Sequence, residues 1–191
     1  EFYFRTGAII SQWKENESSL FKIEAELNYQ PSNALNISIA PEFSSRPNKT
    51  QYITQVSYND ETRYVLGTID NQTFQASLRV NYTLNPNLSI QYYGQPFVSR
   101  GVYKDIKYVT NPTATSLNDR FQLYSNDQLS LSQGVYNIDE NSDGLNDYSF
   151  NNPNFSQVQF NSNLVLRWEY IPGSELFLVW SQGVASRVSS T

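Results

Sequence analysis

Phe74-Gln75-Ala76-Ser77-Leu78-Arg79-Val80-Asn81-Tyr82-Thr83-Leu84 decides the fold. Every second residue is apolar, and the residues between are Gln, Ser, Arg, Asn and Thr. Successive side chains on a strand point to opposite faces, so this alternation makes a strand with one apolar and one polar side. The pattern recurs on either side. Phe21, Ile23, Ala25, Leu27 and Tyr29 alternate with Lys22, Glu24, Glu26 and Asn28. Leu164, Leu166, Trp168 and Tyr170 alternate with partners that include Arg167 and Glu169.

Length separates two architectures that both alternate, a soluble β-sandwich and a membrane barrel. Soluble strands run to about 5–6 residues, whereas crossing a bilayer at a tilt takes about 9–11. Segments 20–30, 35–46, 73–84 and 88–99 belong to the longer class. Tyr29, Tyr82, Tyr92, Trp168, Tyr170 and Trp180 lie towards strand ends, where the aromatic girdle of a barrel sits. The expected strands are 2–13, 20–30, 35–46, 51–58, 63–69, 73–84, 88–99, 157–171 and 175–186. Turn residues at 31–34, 85–87 and 172–174 put three tight turns on one side, and the connection 101–156 falls on the other. Residues 1–191 are thus expected to form part of one all-β, antiparallel, up-and-down transmembrane β-barrel, a fragment of a larger barrel, with 101–156 a long extracellular loop. Phe21, Ile23, Leu27, Leu78, Val80, Leu164, Leu166 and Trp168 are expected to face lipid. Lys22, Glu24, Glu26, Arg79, Asn81, Arg167 and Glu169 are expected to face the interior.

Composition narrows the chemistry. The 191 residues contain no Cys and no His, which removes disulfides, thiolate and imidazole metal sites and the Ser/His/Asp triad. A net charge of −5 argues against nucleic acid as a partner. No apolar run approaches the roughly 20 residues of a membrane helix. Tyr (14) and Phe (11) are abundant, as suits a wall between lipid and a wet lumen. The stretch from Glu1 shows no basic and apolar signal regions, so the expectation is a leader removed by processing or, preferably, an internal stretch of a longer protein.

Three phrases carry a family resemblance. They are the run Leu78 to Gln91, the segment Gly94-Gln95-Pro96-Phe97-Val98-Ser99, and Asn163-Leu164-Val165-Leu166-Arg167-Trp168-Glu169-Tyr170 continuing through Pro172-Gly173-Ser174 to Gln182. With Asn152-Pro153-Asn154-Phe155 they resemble the uncharacterised C-terminal outer-membrane barrel of a Bacteroidota family. In that family the barrel commonly follows a module similar to family-9 carbohydrate-binding modules. The resemblance covers most of residues 50–182. It implies a longer parent chain in the Gram-negative outer membrane, a closing aromatic strand after the Val179-Trp180-Ser181-Gln182 segment, and no established catalytic residue.

Site candidates are few. In Asp139-Glu140-Asn141-Ser142-Asp143-Gly144-Leu145-Asn146-Asp147, oxygen side chains stand at positions 1, 3, 5 and 9 with Gly at 6, the spacing of a calcium loop. Asp139, Asn141, Asp143 and Asp147 would give side-chain oxygens and Leu145 its carbonyl. Phe150 stands where such a loop has its bidentate Glu, and the other reading is an acidic turn. Glu24, Glu26 and Glu169 form a carboxylate pair of the glycosidase kind only if their strands are neighbours. Tyr103, Tyr108, Phe121, Tyr124, Tyr136, Tyr148 and Phe155 could stack on sugar rings, or pack the loop onto itself. Seven Asn-x-Ser/Thr sites, at Asn16, Asn36, Asn48, Asn71, Asn81, Asn87 and Asn154, read as by-products of composition.

The functions left open are an anchor or pore in a carbohydrate-related surface system, the anchor of a glycan-processing enzyme whose active site lies elsewhere, and a scaffold subunit of a larger outer-membrane complex. The expected partners are the lipid bilayer and, through the long loop, glycans or other outer-membrane proteins.

Overall fold

The computed structural model describes residues 1–15 and 17–189. Seven long strands lie side by side in chain order: β1 (Phe2–Trp13), β2 (Ser18–Ser32), β3 (Leu35–Tyr58), β4 (Glu61–Asn85), β5 (Leu88–Val109), β10 (Phe155–Ile171) and β11 (Ser174–Ser189). Each pairs antiparallel with its neighbour. Between β5 and β10 the chain builds an insert. Its β6 (Phe121–Leu123) adds to the end of β5, and β7 (Leu129–Ser132), β8 (Val135–Ile138) and β9 (Tyr148–Asn151) form a second, three-stranded sheet. Apart from a 3-10 turn at Leu117–Arg120, no helix occurs among the described residues. The fold is all-β and antiparallel. Among the described residues the long sheet is open: β1 pairs only with β2, and β11 only with β10.

Register carries the alternation of single strands across the whole sheet. One row runs Phe4, Leu27, Ile39, Leu78, Gly94, Ser162 and Gln182. The next row of the same face runs Phe2, Tyr29, Ile37, Val80, Tyr92, Leu164 and Trp180. Phe21, Ile23, Phe43, Phe74, Val98, Val158, Leu166 and Trp168 share that apolar face. On the reverse stand Lys22, Glu24, Glu26, Glu42, Ser77, Arg79, Asn81, Gln91, Arg167 and Glu169. Both lists of expected orientations are thus sorted onto opposite faces. The hollows open on the polar face. One, of about 280 Å³, is lined by Arg5, Glu24, Glu26 and Glu42 among others, and a second, of about 420 Å³, by Ser44, Asn71, Thr73 and Ser99 among others. Both hollows thus lie among the side chains of the polar face.

The division into nine strands is corrected to seven long ones. The Arg46-Pro47-Asn48-Lys49 stretch has turn chemistry, yet β3 continues through it. Register shifts between Asn48 and Gln51 and between Tyr52 and Thr54 absorb extra residues as bulges. Likewise β4 passes unbroken through Asp70-Asn71-Gln72, because β3 and β5 pair with it there on both sides. The genuine turn is Asn59-Asp60, both with positive φ (51° and 61°), and it lies at the end of the sheet bearing the insert. Strand β5 also runs on to Val109, so 101–109 is ladder, and the excursion from the sheet spans 110–154.

The insert docks on the continuation of the polar face, where that face turns apolar. Val65 and Ile106 join Tyr124, Tyr136, Ile138, Tyr148 and Phe150 in one buried cluster, flanked by Ile53, Val56, Tyr58, Tyr103 and Tyr108. Gly67 sits beneath this packing. A Cβ there would lie 3.0–3.2 Å from side-chain atoms of Ile53, Ile106 and Tyr103.

Candidate functional site

The polar face is a ladder of paired charges. Lys22 lies 2.9 Å from both Glu24 and Glu42, and Arg5 is 2.8 Å from Glu26. Arg167 pairs with Glu175 and stands 3.9 Å from Glu169, whose other oxygen accepts the Gly173 N–H. Glu169 is thus three strands away from the Glu24 and Glu26 of β2, with β3, β4 and β5 between them. The sheet order does not bring these carboxylates together, and each is held by a cation, so they form no acid/base pair of the glycosidase kind.

A second cluster escaped the sequence reading and lies between sheet and insert. Arg63 on β4 donates from Nε to Glu140 Oε1 at 3.1 Å and from Nη1 to Glu61 Oε2 at 2.6 Å. The Tyr148 hydroxyl donates to Glu140 Oε2 and lies 2.7 Å from the Tyr124 hydroxyl. Tyr58 and Tyr108 wall the group, each with its ring about 5.5 Å from the Arg63 guanidinium carbon. Burial pushes the Tyr124 and Tyr148 hydroxyls well above the ordinary phenol range, and for Tyr148 the hydrogen bond to Glu140 adds to it. Arg63 is held above its usual value, first by the hydrogen bond to Glu61 and further by Glu140. The Glu140 side chain is 9 % exposed. A charge this enclosed needs its partners, so the cluster fastens the insert to the sheet. Its sequence signal was slight: Val65 and Ile69, at polar-face positions of β4, announce that something covers them.

Segment 139–147 links β8 to β9. Asp139 accepts the N–H groups of Asp143 and Gly144 at 3.0 and 2.7 Å, and Asn141 also accepts from Asp143. Asp143 accepts from Leu145, and Asp147 accepts from Glu140 and Asn141. Gly144 takes φ +88°, with nothing near the place of a Cβ. The five residues expected to hold calcium thus share one turn whose side-chain oxygens face its own main-chain donors. Phe150 is buried in the insert's core and gives no twelfth-position carboxylate. Among the described residues no three His, Cys, Asp or Glu side chains converge as metal ligands. Through Asp147, the turn fixes the main chain of Glu140.

The loop aromatics pack inward. Tyr124, Tyr136 and Tyr148 are buried, Tyr103 and Tyr108 lie against them, and Phe121 lies under the Lys107 ammonium. Of the Asn-x-Ser/Thr sites, Asn16 lies outside the described residues. Asn36, Asn48, Asn71 and Asn81 stand on the polar face of paired strands, and Asn154 accepts the Tyr103 N–H.

The family described as a domain of unknown function (DUF5916) matches the chain over residues 1–191. No curated protein and no solved structure matches it.

Proposed function

Starting from membership of the DUF5916 family, to which this chain belongs, we propose that it is a segment of a Gram-negative outer-membrane β-barrel serving as the anchor of a carbohydrate-related surface system. The observation that carries this reading is the apolar face. It crosses all seven long strands, no second layer covers it among the described residues, and Phe21, Ile23, Phe74, Val158 and Trp168 remain exposed on it. An apolar surface of that extent needs an apolar medium. Its height supports a bilayer. On β4 the face runs from Phe74 to Leu84, ten steps, or about 33 Å along a strand. A tilt of about 40° reduces this to about 25 Å, the height of the lipid-facing band of such barrels. Just above Phe74 the same face turns to Gln72, Ser45, Arg100 and Ser156. At the opposite end stand Tyr82, Trp168 and Trp180.

The free edges of β1 and β11 would be joined by further strands, since hydrocarbon cannot satisfy open backbone groups. Segments 2–13, 20–30, 35–46, 73–84, 88–99, 157–171 and 175–186 would span the membrane, with the upper parts of β3 to β5 and the insert outside it. The insert packs on the polar face at Val65 and Ile106 and would cover the mouth of the barrel, which favours an anchor over a freely open pore. The outer surface of the insert would meet glycans or neighbouring outer-membrane proteins.

The test is quenching by brominated lipids in single-Trp variants reconstituted into vesicles. Trp168 and Trp180 should be quenched strongly, and Trp13, on the polar face, weakly. A detergent-free, monodisperse protein with a cooperative melt, or equal quenching of all three, would overturn the proposal.

A further inference from the structure

We propose that the polar face carries, beneath the insert, a binding groove for a hydroxyl-bearing anion, with Arg46 as its counter-charge and Trp13 as an aromatic wall. Two hollows meet at Arg46 and Asn48. One, of about 420 Å³, is floored by Ser44, Gln51, Asn71, Thr73 and Ser99, and the other, of about 460 Å³, is walled by Trp13 and Leu20. Volumes of this size suit a small-molecule ligand. Register places the floor deliberately: Ser44, Thr73 and Ser99 are cross-strand partners in one row, and Arg46 and Asn71 are partners in the next.

The electrostatics select the ligand. Glu42, the one carboxylate among the described residues lining the 420 Å³ hollow, lies 2.9 Å from Lys22, which it shares with Glu24. Arg46 has no ion pair among the described residues. Arg187 extends the Ser44 row through Ser99 and Gln157, stacked at 5.5 Å on the Phe155 ring, again without a carboxylate. Arg46 and Arg187 thus give this end of the groove two cations without a carboxylate partner among the described residues. The remaining groups are amides and hydroxyls held in place by mutual hydrogen bonds, such as Thr73 to Ser99 at 3.0 Å and Asn71 to Thr73 at 3.3 Å. A neutral polyol would leave Arg46 unmatched, and a bare anion would leave the amides unmatched. One negative group on a hydroxylated carbon skeleton satisfies both. This assignment rests on the polar face alone and stands independently of the bilayer.

Gluconate is a suitable probe, with sorbitol as its uncharged counterpart and inorganic phosphate as an anion without the hydroxylated chain. Titrated into the detergent-solubilised protein, gluconate should change the fluorescence of Trp13 saturably, since Trp168 and Trp180 lie on the other face. Calorimetry should give the same affinity. Arg46→Gln should weaken binding about tenfold, and Arg79→Gln, on the same face but outside both hollows, should leave it unchanged. Sorbitol and phosphate should bind at least tenfold more weakly than gluconate. Absence of gluconate binding by both methods, equal binding of sorbitol, or an Arg46→Gln variant that binds like the parent would each overturn the assignment. A protein that binds gluconate yet fails to enter vesicles would refute the anchor and leave the groove intact.

Discussion

In the long sheet and in the insert, the same kinds of residue are placed in opposite order. The sheet turns its charges towards its own hollows and its Phe, Ile, Leu and Trp outward, so Leu178 is 64 % exposed. The insert turns its aromatics inward, and Ile138 at its centre has no exposed surface. The insert closes this core against the sheet, where Val65 and Ile106 join its aromatics. The sheet has almost no core of its own below Ile69, and its coherence comes from ladder hydrogen bonds and from whatever covers the apolar face. One chain thus contains a part with its apolar side chains inside and a part with them outside. The boundary falls between Phe74 and Val65 on a single strand.

The strongest way to break this contrast is to place a charge on each face of one strand. Leu78 stands near mid-height of the apolar face and Ser77 beside it on the polar face. Leu78→Arg should cost about 2–4 kcal/mol in lipid vesicles, the midplane cost of Arg facing hydrocarbon, and Ser77→Arg should be nearly neutral. Urea titration of folding into vesicles measures both. Equal costs would mean that the apolar face meets protein or water instead of lipid.

The insert should respond to a different set of substitutions. Glu140→Ala leaves Arg63 without its enclosed partner and the Tyr148 hydroxyl without an acceptor, and should loosen the insert by about 3 kcal/mol. Tyr148→Phe removes one hydroxyl from the chain that joins Tyr124 to Glu140 and should cost about 1–2 kcal/mol. Hydrogen exchange should rise across 110–154 in both variants and stay low in β2 to β5 below Thr73. Protection lost equally in both regions would show one cooperative unit in place of two.

Alkaline pH sharpens the same contrast. Burial raises the Tyr124 and Tyr148 hydroxyls, and those of Tyr58 and Tyr108 in the same direction. A group whose folded value is raised gives stability that is complete below its unfolded value, about 10 for tyrosine, and lost as pH climbs towards the folded one. Lys107, packed on Phe121 and lowered by burial, acts in the opposite sense, but its gain comes as pH rises towards the unfolded lysine value of about 10.4 and is complete there, while the tyrosine loss continues above it. Four tyrosines outweigh one lysine, so the insert should open above about pH 10 while strand circular dichroism persists. A pH-insensitive insert up to the point of global unfolding would contradict this.

The sequence revealed the sheet because period 2 is a local property, readable from Phe74-Gln75-Ala76-Ser77 without knowing any partner. Strand ends were less legible. Pro47-Asn48 and Asp70-Asn71 have the composition of turns, and only pairing on both sides, a non-local fact, keeps them in the ladder. The insert's fastening was legible least. Glu140 sits at a non-ligating position of the calcium-like spacing, and Arg63 is distant in sequence. Their meeting depends on how 110–154 folds back, for which the sequence offers only the apolar substitutions Val65 and Ile69 on an otherwise polar face. Arg46 stood at the end of an expected strand, 35–46, and its lack of a carboxylate partner is likewise a non-local fact.

The smallest expected effect belongs to calcium at segment 139–147. The spacing of Asp139, Asn141, Asp143, Leu145 and Asp147 favours an oxygen-seeking cation, but the twelfth position is the buried Phe150, and the oxygens already accept main-chain N–H groups. A bound ion would compete with those hydrogen bonds, which sets its affinity near the weak end for such loops, about 1 mM. At about 1 mM free calcium the linkage amounts to about 0.4 kcal/mol, roughly a twofold slowing of proteolysis near Ser142. Chelator should abolish the slowing without disturbing the strands, whose hydrogen bonds do not pass through this turn. Asp143→Ala should remove the calcium dependence, since that carboxylate sits at the centre of the turn. Identical cleavage with calcium and with chelator would mark 139–147 as a turn that serves only to hold Glu140 against Arg63.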